Sequence, residues 1–228
     1  MLPDKFAYLS LALLYMVAWT VVFIKSPYKQ GMLKVCAVGG LMGVVAEVWY
    51  FRDYWRPPTL FGQGIPGIED YIIGFAMFGV GGYVYSSFTK RKMDLTRKTP
   101  AKYRNFFWLF IAGVSSMTIF SIGFNIHSGY VTFLTFFLLS VYIWIQRPDL
   151  IGVSLISAVV VGVISFTIYY INFNLLFPHF WDDYGMLDED PFLGYRLANI
   201  PLSEMIWHTT WGMLCSMFRG YRNGVYYK

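Results

Sequence analysis

Seven apolar segments constrain the fold of this chain more than any other feature. They cover residues 6–24, 33–51, 71–88, 106–124, 129–145, 150–171 and 203–218. A helix needs about 20 mostly apolar residues to cross the hydrocarbon core of a bilayer. Charged residues are only 14% of the chain, against about 25% in a soluble domain. The sequence therefore predicts an all-α integral membrane protein with seven transmembrane helices, the seventh being the shortest and most polar.

The distribution of basic residues predicts how these helices are oriented. Fourteen of the 18 Lys and Arg residues fall on one side of the membrane, and the other four are Lys5, Arg52, Arg56 and Arg196. Because positively charged loops stay in the cytoplasm, we expect the N-terminus outside and the C-terminus in the cytoplasm. The basic run 90–104 is expected to be a solvated loop near anionic lipid headgroups. The expected location is the plasma membrane of a bacterium or archaeon.

The sequence favours neither a cofactor nor a metal. Cys36 and Cys215 fall within apolar segments, as expected for small residues in helix packing. An outer loop carries five acidic residues, Asp182, Asp183, Asp188, Glu189 and Asp190. A calcium or magnesium site there is the less favoured alternative, since the alternation of an EF-hand loop is missing. We read the net charge of +5 as topology rather than nucleic-acid binding, and find no signal for an oligomeric state.

Two carboxylate-bearing turns stand out, each at the start of an apolar segment. Their notable residues are Pro66, Gly67, Glu69 and Asp70 in the first turn and Pro201 and Glu204 in the second. Acidic residues at the mouth of a membrane helix are costly and indicate a functional site. The two turns are therefore the leading candidates for the site of action.

The order of features around the two turns indicates an internal duplication. We interpret 1–89 and 128–228 as two three-helix repeats, joined by a basic loop and a linker helix at 90–127. With that linker, both turns lie on the outer face. Glu47 ends the second segment at a similar depth, and Asn172 and Asn174 end the sixth. The duplication thus predicts one cluster of polar groups in the outer third of the membrane.

Aromatic residues near the turns are candidates for substrate contact. Glu204, Trp207, His208 and Trp211 share one helical face at i, i+3, i+4 and i+7. Indole rings there would stabilise a cation formed by protonation, although an interfacial aromatic belt is the alternative. His208 is either a proton partner of Glu204 or, as we favour, part of an inter-helix hydrogen bond. The loops before the turns add Trp55 and Trp181.

At these residues the chain resembles the membrane-integral, non-flavin lycopene cyclases, in their fused form with a linker helix. The hallmark of that family is Pro-x-Glu-(Glu/Asp) at the start of the third helix of each repeat. Residues 67–75 resemble the first copy and 193–204 the second, and Glu47 falls where the family often has an acid. Two departures are that Pro66 stands one residue early, leaving Gly67 at the proline position, and that Ser203 replaces the first carboxylate of the second copy.

The resemblance implies a redox-neutral cyclisation of a linear polyisoprenoid or carotenoid end group, without a cofactor. An acid protonates the terminal alkene, an internal double bond attacks the cation, and loss of a proton leaves a ring. We expect Glu69 and Glu204 as acid and base, with Asp70 and Glu47 tuning or relaying protons. The carboxylates are alternatively helix N-caps.

Two other functions stay open. The first is a cyclase or prenyl-lipid enzyme that uses the same acid chemistry on a different polyisoprenoid. The second is a non-enzymatic membrane protein that binds lipid or couples transport to protons or cations. Transport predicts a polar path across the membrane, and the cytoplasmic half of the chain offers few polar candidates for one.

Overall fold

Helices make up most of the part of the chain that the computed structural model describes, which is residues 3–89, 91, 93–99, 105–187 and 190–228, without the side chains of Leu95 and Arg97. Of the predicted basic run 90–104, residues 90, 92 and 100–104 lie outside it. The helices are α1 Ala7–Lys25, α2 Lys29–Asp53, α3 Ile68–Phe88, α4 Phe106–Ser116, α5 Ser128–Gln146, α6 Ile151–Tyr170, α7 Phe180–Tyr184, α8 Leu202–Cys215 and α9 Phe218–Asn223.

Six helical stretches of the described chain are long and apolar enough to cross a membrane. They are Asp4–Lys25, Lys29–Asp53, Ile68–Phe88, Phe106–Gly123, Ser128–Gln146 and Pro148–Leu176. Large apolar side chains on their outer surfaces are exposed, as at Val17, Ile145 and Val159, which suits contact with lipid. These findings confirm a helical membrane protein. The seventh predicted segment is shorter than a full crossing, because α8 has only 14 residues before the chain turns into α9.

Three short antiparallel strand pairs connect the helices. β1 (Pro58–Thr59) pairs with β2 (Gly62–Gln63) just before α3. β4 (Arg196–Leu197) pairs with β5 (Ile200–Pro201) just before α8. The third pair joins β3 (Met93–Lys98) to β6 (Val225–Tyr227). The first two hairpins each lead directly into a carboxylate-bearing turn.

The two ends of the helix bundle differ in charge. Glu47, Asp70 and Glu204 lie at one end, which we call the acidic end, together with the start of α1. The last residues of α1, the first of α2 and the whole of α9 lie at the opposite end, which we call the basic end because it carries Lys34 and Arg219.

A close approach of α2 and α3 positions two of the acids. A Cβ atom added at Gly43 would lie 3.0 Å from the Cα of Gly74 and would clash with the backbone oxygen of Asp70. Only glycine fits such an approach. The contact holds the first turn of α3 against α2, one helical turn before Glu47.

The helices α4 and α6 both widen into π-helical turns at the acidic end, over Met117–Gly123 and Ile171–Leu176. Such turns occur often at functional sites. The first is tied to the end of α2, since Arg52 donates to the backbone oxygen of Ser121 at 2.8 Å. The second contains Asn172 and Asn174.

Candidate functional site

A cavity of about 720 Å³ lies between α2, α3, α4, α5 and α8. At the acidic end it is lined by Glu47, Asp70 and Glu204. Its middle is lined by apolar and aromatic side chains. At the basic end it is lined by Lys34, Arg219, Arg222 and Asn223. The cavity thus follows the length of the bundle and brings the acids of both halves of the chain to one space.

Asp70 is buried at the start of α3 and held by donors from two elements. Its Oδ1 accepts a 2.5 Å hydrogen bond from the hydroxyl of Tyr8, and its Oδ2 accepts a 2.6 Å bond from the backbone N–H of Gly67. The second bond caps the helix, as the alternative interpretation expected. Asp70 nevertheless lines the cavity, so capping and chemistry are compatible in this residue.

Glu47 lies beside Asp70. The indole N–H of Trp55 donates to its Oε2 at 3.2 Å, and its carboxyl group lies close enough to that of Asp70 for the two to interact electrostatically. Two neighbouring carboxylates in an apolar wall repel each other, and a proton on one of them removes that repulsion. The pair is therefore built to hold a proton at the wall of an apolar cavity.

Glu204 is the acid of the second half and is surrounded by tyrosines. The hydroxyl of Tyr169 donates to its Oε2 at 2.8 Å, and the hydroxyl of Tyr54, which donates to Ser203 at 3.2 Å, lies nearby. The bond from Tyr169 stabilises a negative charge more than a neutral acid. Glu204 is thus a single carboxyl group whose Oε2 accepts a hydrogen bond from a tyrosine hydroxyl.

His208 is engaged on both ring nitrogens. Its Nδ1 lies 2.7 Å from the backbone oxygen of Glu204, and its Nε2 lies 2.7 Å from the hydroxyl of Tyr15. Since a carbonyl oxygen only accepts, Nδ1 carries the hydrogen, and Nε2 accepts from Tyr15 when the ring is neutral. The carboxylate of Glu204 is farther from Nδ1, at 3.7 Å. The geometry matches the inter-helix hydrogen bond that we favoured.

Glu69 and Ser203 occupy matching positions and both face away from the cavity. Oε1 of Glu69 accepts a 2.8 Å bond from the backbone N–H of Leu60, in the β1–β2 turn. Ser203 donates to the backbone oxygen of Leu193 at 3.0 Å and accepts from the hydroxyl of Tyr54 at 3.2 Å. Each side chain therefore ties its helix to the loop in front of it, and Ser203 also holds the hydroxyl of a cavity-lining tyrosine.

Steric contacts explain why position 67 is a glycine where the family motif has proline. A Cβ atom added there would lie 2.8 Å from the Cβ of Thr59 and would clash with Oε2 of Glu69. A proline at this position would meet the same obstacle. Pro66 and Pro201 precede the two helices at nearly equivalent places, with Pro201 ending β5.

Tryptophans line the cavity beneath the acids, as the helical face of α8 predicts. Trp207 donates its indole N–H to the hydroxyl of Tyr50 at 2.8 Å, and Trp211 donates to the backbone oxygen of Met77 at 3.2 Å. Trp55 also lines the cavity. With their polar atoms satisfied, these side chains present apolar π surfaces to whatever the cavity holds.

Three predicted contact residues lie behind the cavity wall. Trp181 stacks on Trp55 with ring centroids 6.3 Å apart. Asn172 donates to the backbone oxygen of Ala7 at 3.0 Å, and Asn174 donates to that of Ala198 at 2.6 Å. These side chains hold the surroundings of the site in place and do not reach its surface.

The sequence reasoning missed the tyrosines. Five of them lie around the acids and His208, namely Tyr8, Tyr15, Tyr50, Tyr54 and Tyr169. A signal was available: a tyrosine buried in an apolar helix needs a partner for its hydroxyl. Which partner it finds depends on helix packing.

The acidic loop at 182–190 is used for local structure where the structure describes it. Asp182 pairs with Arg196 at 2.5 Å. Asp190 accepts from the backbone N–H of Leu193 and from the hydroxyl of Tyr130, and the Leu193 bond is the main cause of its lowered pKa. Asp188 and Glu189 lie outside the described residues. Among the residues that the structure describes, no group of His, Cys, Asp or Glu forms a metal site.

Comparison with known proteins supports the resemblance for the second half of the chain. Residues 127–221 match the family model described as lycopene cyclase. This stretch includes α5, α6 and α8 and therefore Glu204. No curated protein and no solved structure matches the chain.

Proposed function

We propose that this chain, whose residues 127–221 match the lycopene cyclase family, is a membrane cyclase acting on the end group of a linear polyisoprenoid or carotenoid. One observation carries the proposal: buried acids from both halves meet at one end of an apolar cavity lined by aromatic rings. An alkene has no charge to bind, so its recognition needs such an apolar space, and its protonation needs an acid within that space.

The Glu47–Asp70 pair is the proton donor in this proposal. Its proton is delivered to the terminal alkene and leaves a tertiary cation. The indole faces of Trp207 and Trp211 stabilise that cation through their quadrupoles. An internal double bond attacks the cation to form the ring bond. No oxidant or reductant is consumed.

Glu204 completes the reaction as the base. Its carboxylate takes the proton that the ring cation loses, and the hydroxyl of Tyr169 holds it in position. Glu204 then releases this proton to solvent, and solvent returns a proton to the Glu47–Asp70 pair. The proposal transfers the acid role from Glu69 to Asp70, because only Asp70 lines the cavity.

The pair of hairpins supports the proposed duplication. In each half a two-stranded hairpin precedes a helix. The residue at the last motif position, Asp70 in the first half and Glu204 in the second, is an acid that lines the cavity. We propose that α8, with α9, is the counterpart of α3 in a second three-helix repeat. The outside location of the acidic end follows from the charge distribution and is part of the same proposal.

Transport is less well supported by the cavity lining. Between Lys34 and Glu47 the lining residues of α2 are Val35, Val38, Met42, Gly43 and Ala46. A path for protons or cations needs polar groups or water along its length. A cavity with an apolar middle suits a greasy molecule that stays in place.

Expression in cells that accumulate lycopene tests the proposal directly. We expect chromatography to show cyclic carotenoids with the wild-type chain and not with Asp70→Asn. Lys5→Gln, a change outside the cavity, serves as the control for expression and insertion. A wild-type chain that inserts into the membrane and leaves lycopene unchanged would exclude lycopene as the substrate.

A further inference from the structure

The basic end of the cavity holds a half-buried cation, Arg219, one of whose nitrogens is buried without a partner in the described chain. Nη1 of Arg219 is buried and has no hydrogen-bond partner among the described residues. The guanidinium lies 4.0 Å from the ring centroid of Tyr28 and 5.6 Å from that of Tyr83. These rings fix its position, and the hydroxyl of Tyr83 lies close to the guanidinium, but Nη1 itself stays without an acceptor in the part of the chain that the structure describes. A buried charged donor without an acceptor is costly.

Arg147, at the same end, is an arginine whose guanidinium has hydrogen-bond acceptors. It donates to both carboxylate oxygens of Asp149, at 2.7 and 2.6 Å, and to the backbone oxygens of Gly220 and Val225. Both side chains are anchored by aromatic rings. The difference is that Arg147 has a carboxylate and does not line the cavity, whereas Arg219 lines it.

The space in front of Arg219 is kept open by a glycine. A Cβ atom added at Gly31 would lie 3.4 Å from Nη1 of Arg219 and 3.3 Å from the hydroxyl of Tyr83. Lys34 and Arg222 line the same end. The acidic residues that line the cavity, Glu47, Asp70 and Glu204, all lie at the other end. The basic end is therefore positively charged and has open donors.

We propose that this end is an anion site, which holds the phosphate of an isoprenoid alkyl phosphate while its hydrocarbon tail fills the cavity. Arg219 supplies a planar fork of N–H donors suited to phosphate oxygens. Lys34 and Arg222 add charge, and the hydroxyl of Tyr83 adds a further donor. This inference rests on the proposed function in that it names the class of isoprenoid whose far end reaches the acids.

The length of the cavity fits such a molecule. Lys34 and Glu47 are on one helix, about 20 Å apart at 1.5 Å per residue. An extended chain advances about 1.2 Å per bond, so roughly 16 bonds cover that distance, which is about four isoprene units. With the phosphate at Arg219, the terminal alkene lies beside the Glu47–Asp70 pair. Protonation there forms a ring and leaves the phosphate ester intact.

Binding can be measured without turnover. The full-length protein in nanodiscs of neutral phosphatidylcholine is titrated with geranylgeranyl phosphate and with geranylgeraniol, and binding is followed by tryptophan fluorescence. We expect the phosphate to bind about tenfold more tightly than the alcohol, as a hydrogen bond to a charged group provides. Arg219→Gln should remove this advantage. Lys25→Gln, which loses a charge at the same end but outside the cavity, should keep it.

Two further arms identify the source of the anion. Inorganic phosphate at millimolar concentration and phosphatidylglycerol in the nanodisc should both leave the Arg219-dependent advantage in place. Displacement by either one would overturn the isoprenoid assignment, in favour of free phosphate or a bilayer lipid. Equal binding of phosphate and alcohol to the wild-type chain would overturn the anion site itself.

The exposed Lys34 provides a second variant should Arg219→Gln fail to fold. Lys34→Gln should reduce the advantage about threefold, and an unchanged advantage would count against the site. The outcome is separable from that of the proposed function. If the chain does not cyclise polyisoprenoids but binds the phosphate through Arg219, the proposed function fails and the anion site stands. If it cyclises them but shows no Arg219-dependent binding, the anion site fails and the proposed function stands.

Discussion

The two hairpin–helix junctions place their acids in the same cavity with different partners. At the start of α3, Asp70 shares the site with a second carboxyl group, that of Glu47. At the start of α8, Glu204 has tyrosines and no second cavity-lining acid from its own half. Two neighbouring carboxyl groups favour a proton on one of them, whereas a hydroxyl donor favours the ionised form of a single carboxyl group. In the proposed mechanism this difference between the halves corresponds to a division of labour, with the proton donor in the first half and the base in the second.

The largest effects should come from removing either acid. Asp70→Asn and Glu204→Gln keep the shape of the side chain but can neither donate nor accept the transferred proton. General acid–base groups contribute about 10²–10⁴-fold to rate, so we expect each variant to lose at least about 100-fold of cyclic product. Chromatography of pigments from lycopene-accumulating cells measures this. Near wild-type conversion by Glu204→Gln would remove the base from the scheme.

A smaller effect is expected from Glu47→Gln, which tests the carboxyl pair itself. The amide keeps the shape of the side chain, but the proton is no longer shared between two acids. We expect about a tenfold loss of product, less than for Asp70→Asn. Loss equal to that of Asp70→Asn would make Glu47 the donor, and no loss would mean that Asp70 acts without a pair.

The first position of each motif should affect stability more than activity. Glu69→Ala and Ser203→Ala each remove a hydrogen bond to a loop, at Leu60 and Leu193, and Ser203→Ala also removes the acceptor of the Tyr54 hydroxyl. We expect each to lower the free energy of unfolding by about 1–2 kcal/mol and to leave conversion within about twofold. Thermal unfolding in detergent, with pigment analysis in parallel, checks both.

A strong loss of activity in Glu69→Ala, at unchanged stability, would restore Glu69 as an acid. Ser203→Glu is the matched gain test. Because position 203 faces the loop rather than the cavity, adding the carboxylate that the family motif has there should not increase conversion.

The positions of the helices could be predicted from the sequence, because the length of an apolar segment and the positions of charged residues are local properties. The first six segments end within a few residues of the observed helices. The role of Glu69 and Asp70 was harder to predict, since neighbouring helical residues point in different directions and the direction depends on where the β1–β2 hairpin folds back. The tyrosine partners depend on contacts between distant parts of the chain, such as Tyr8 with Asp70, and local pattern does not contain them.

The smallest effect should come from Asp190, in the loop before the second hairpin. Its folded pKa is lowered, mainly by the backbone N–H of Leu193 and further by Tyr130 and Phe192. A lowered folded pKa stabilises the protein fully above the unfolded value of about 3.9, and this contribution is lost as pH falls through the folded pKa. Asp190→Asn should therefore lower the Tm slightly at neutral pH and show less further loss in acid than the wild type. Parallel pH curves of Tm for the two proteins below pH 5 would show instead that Asp190 only shapes the loop, and conversion should stay unchanged because the residue lies outside the cavity.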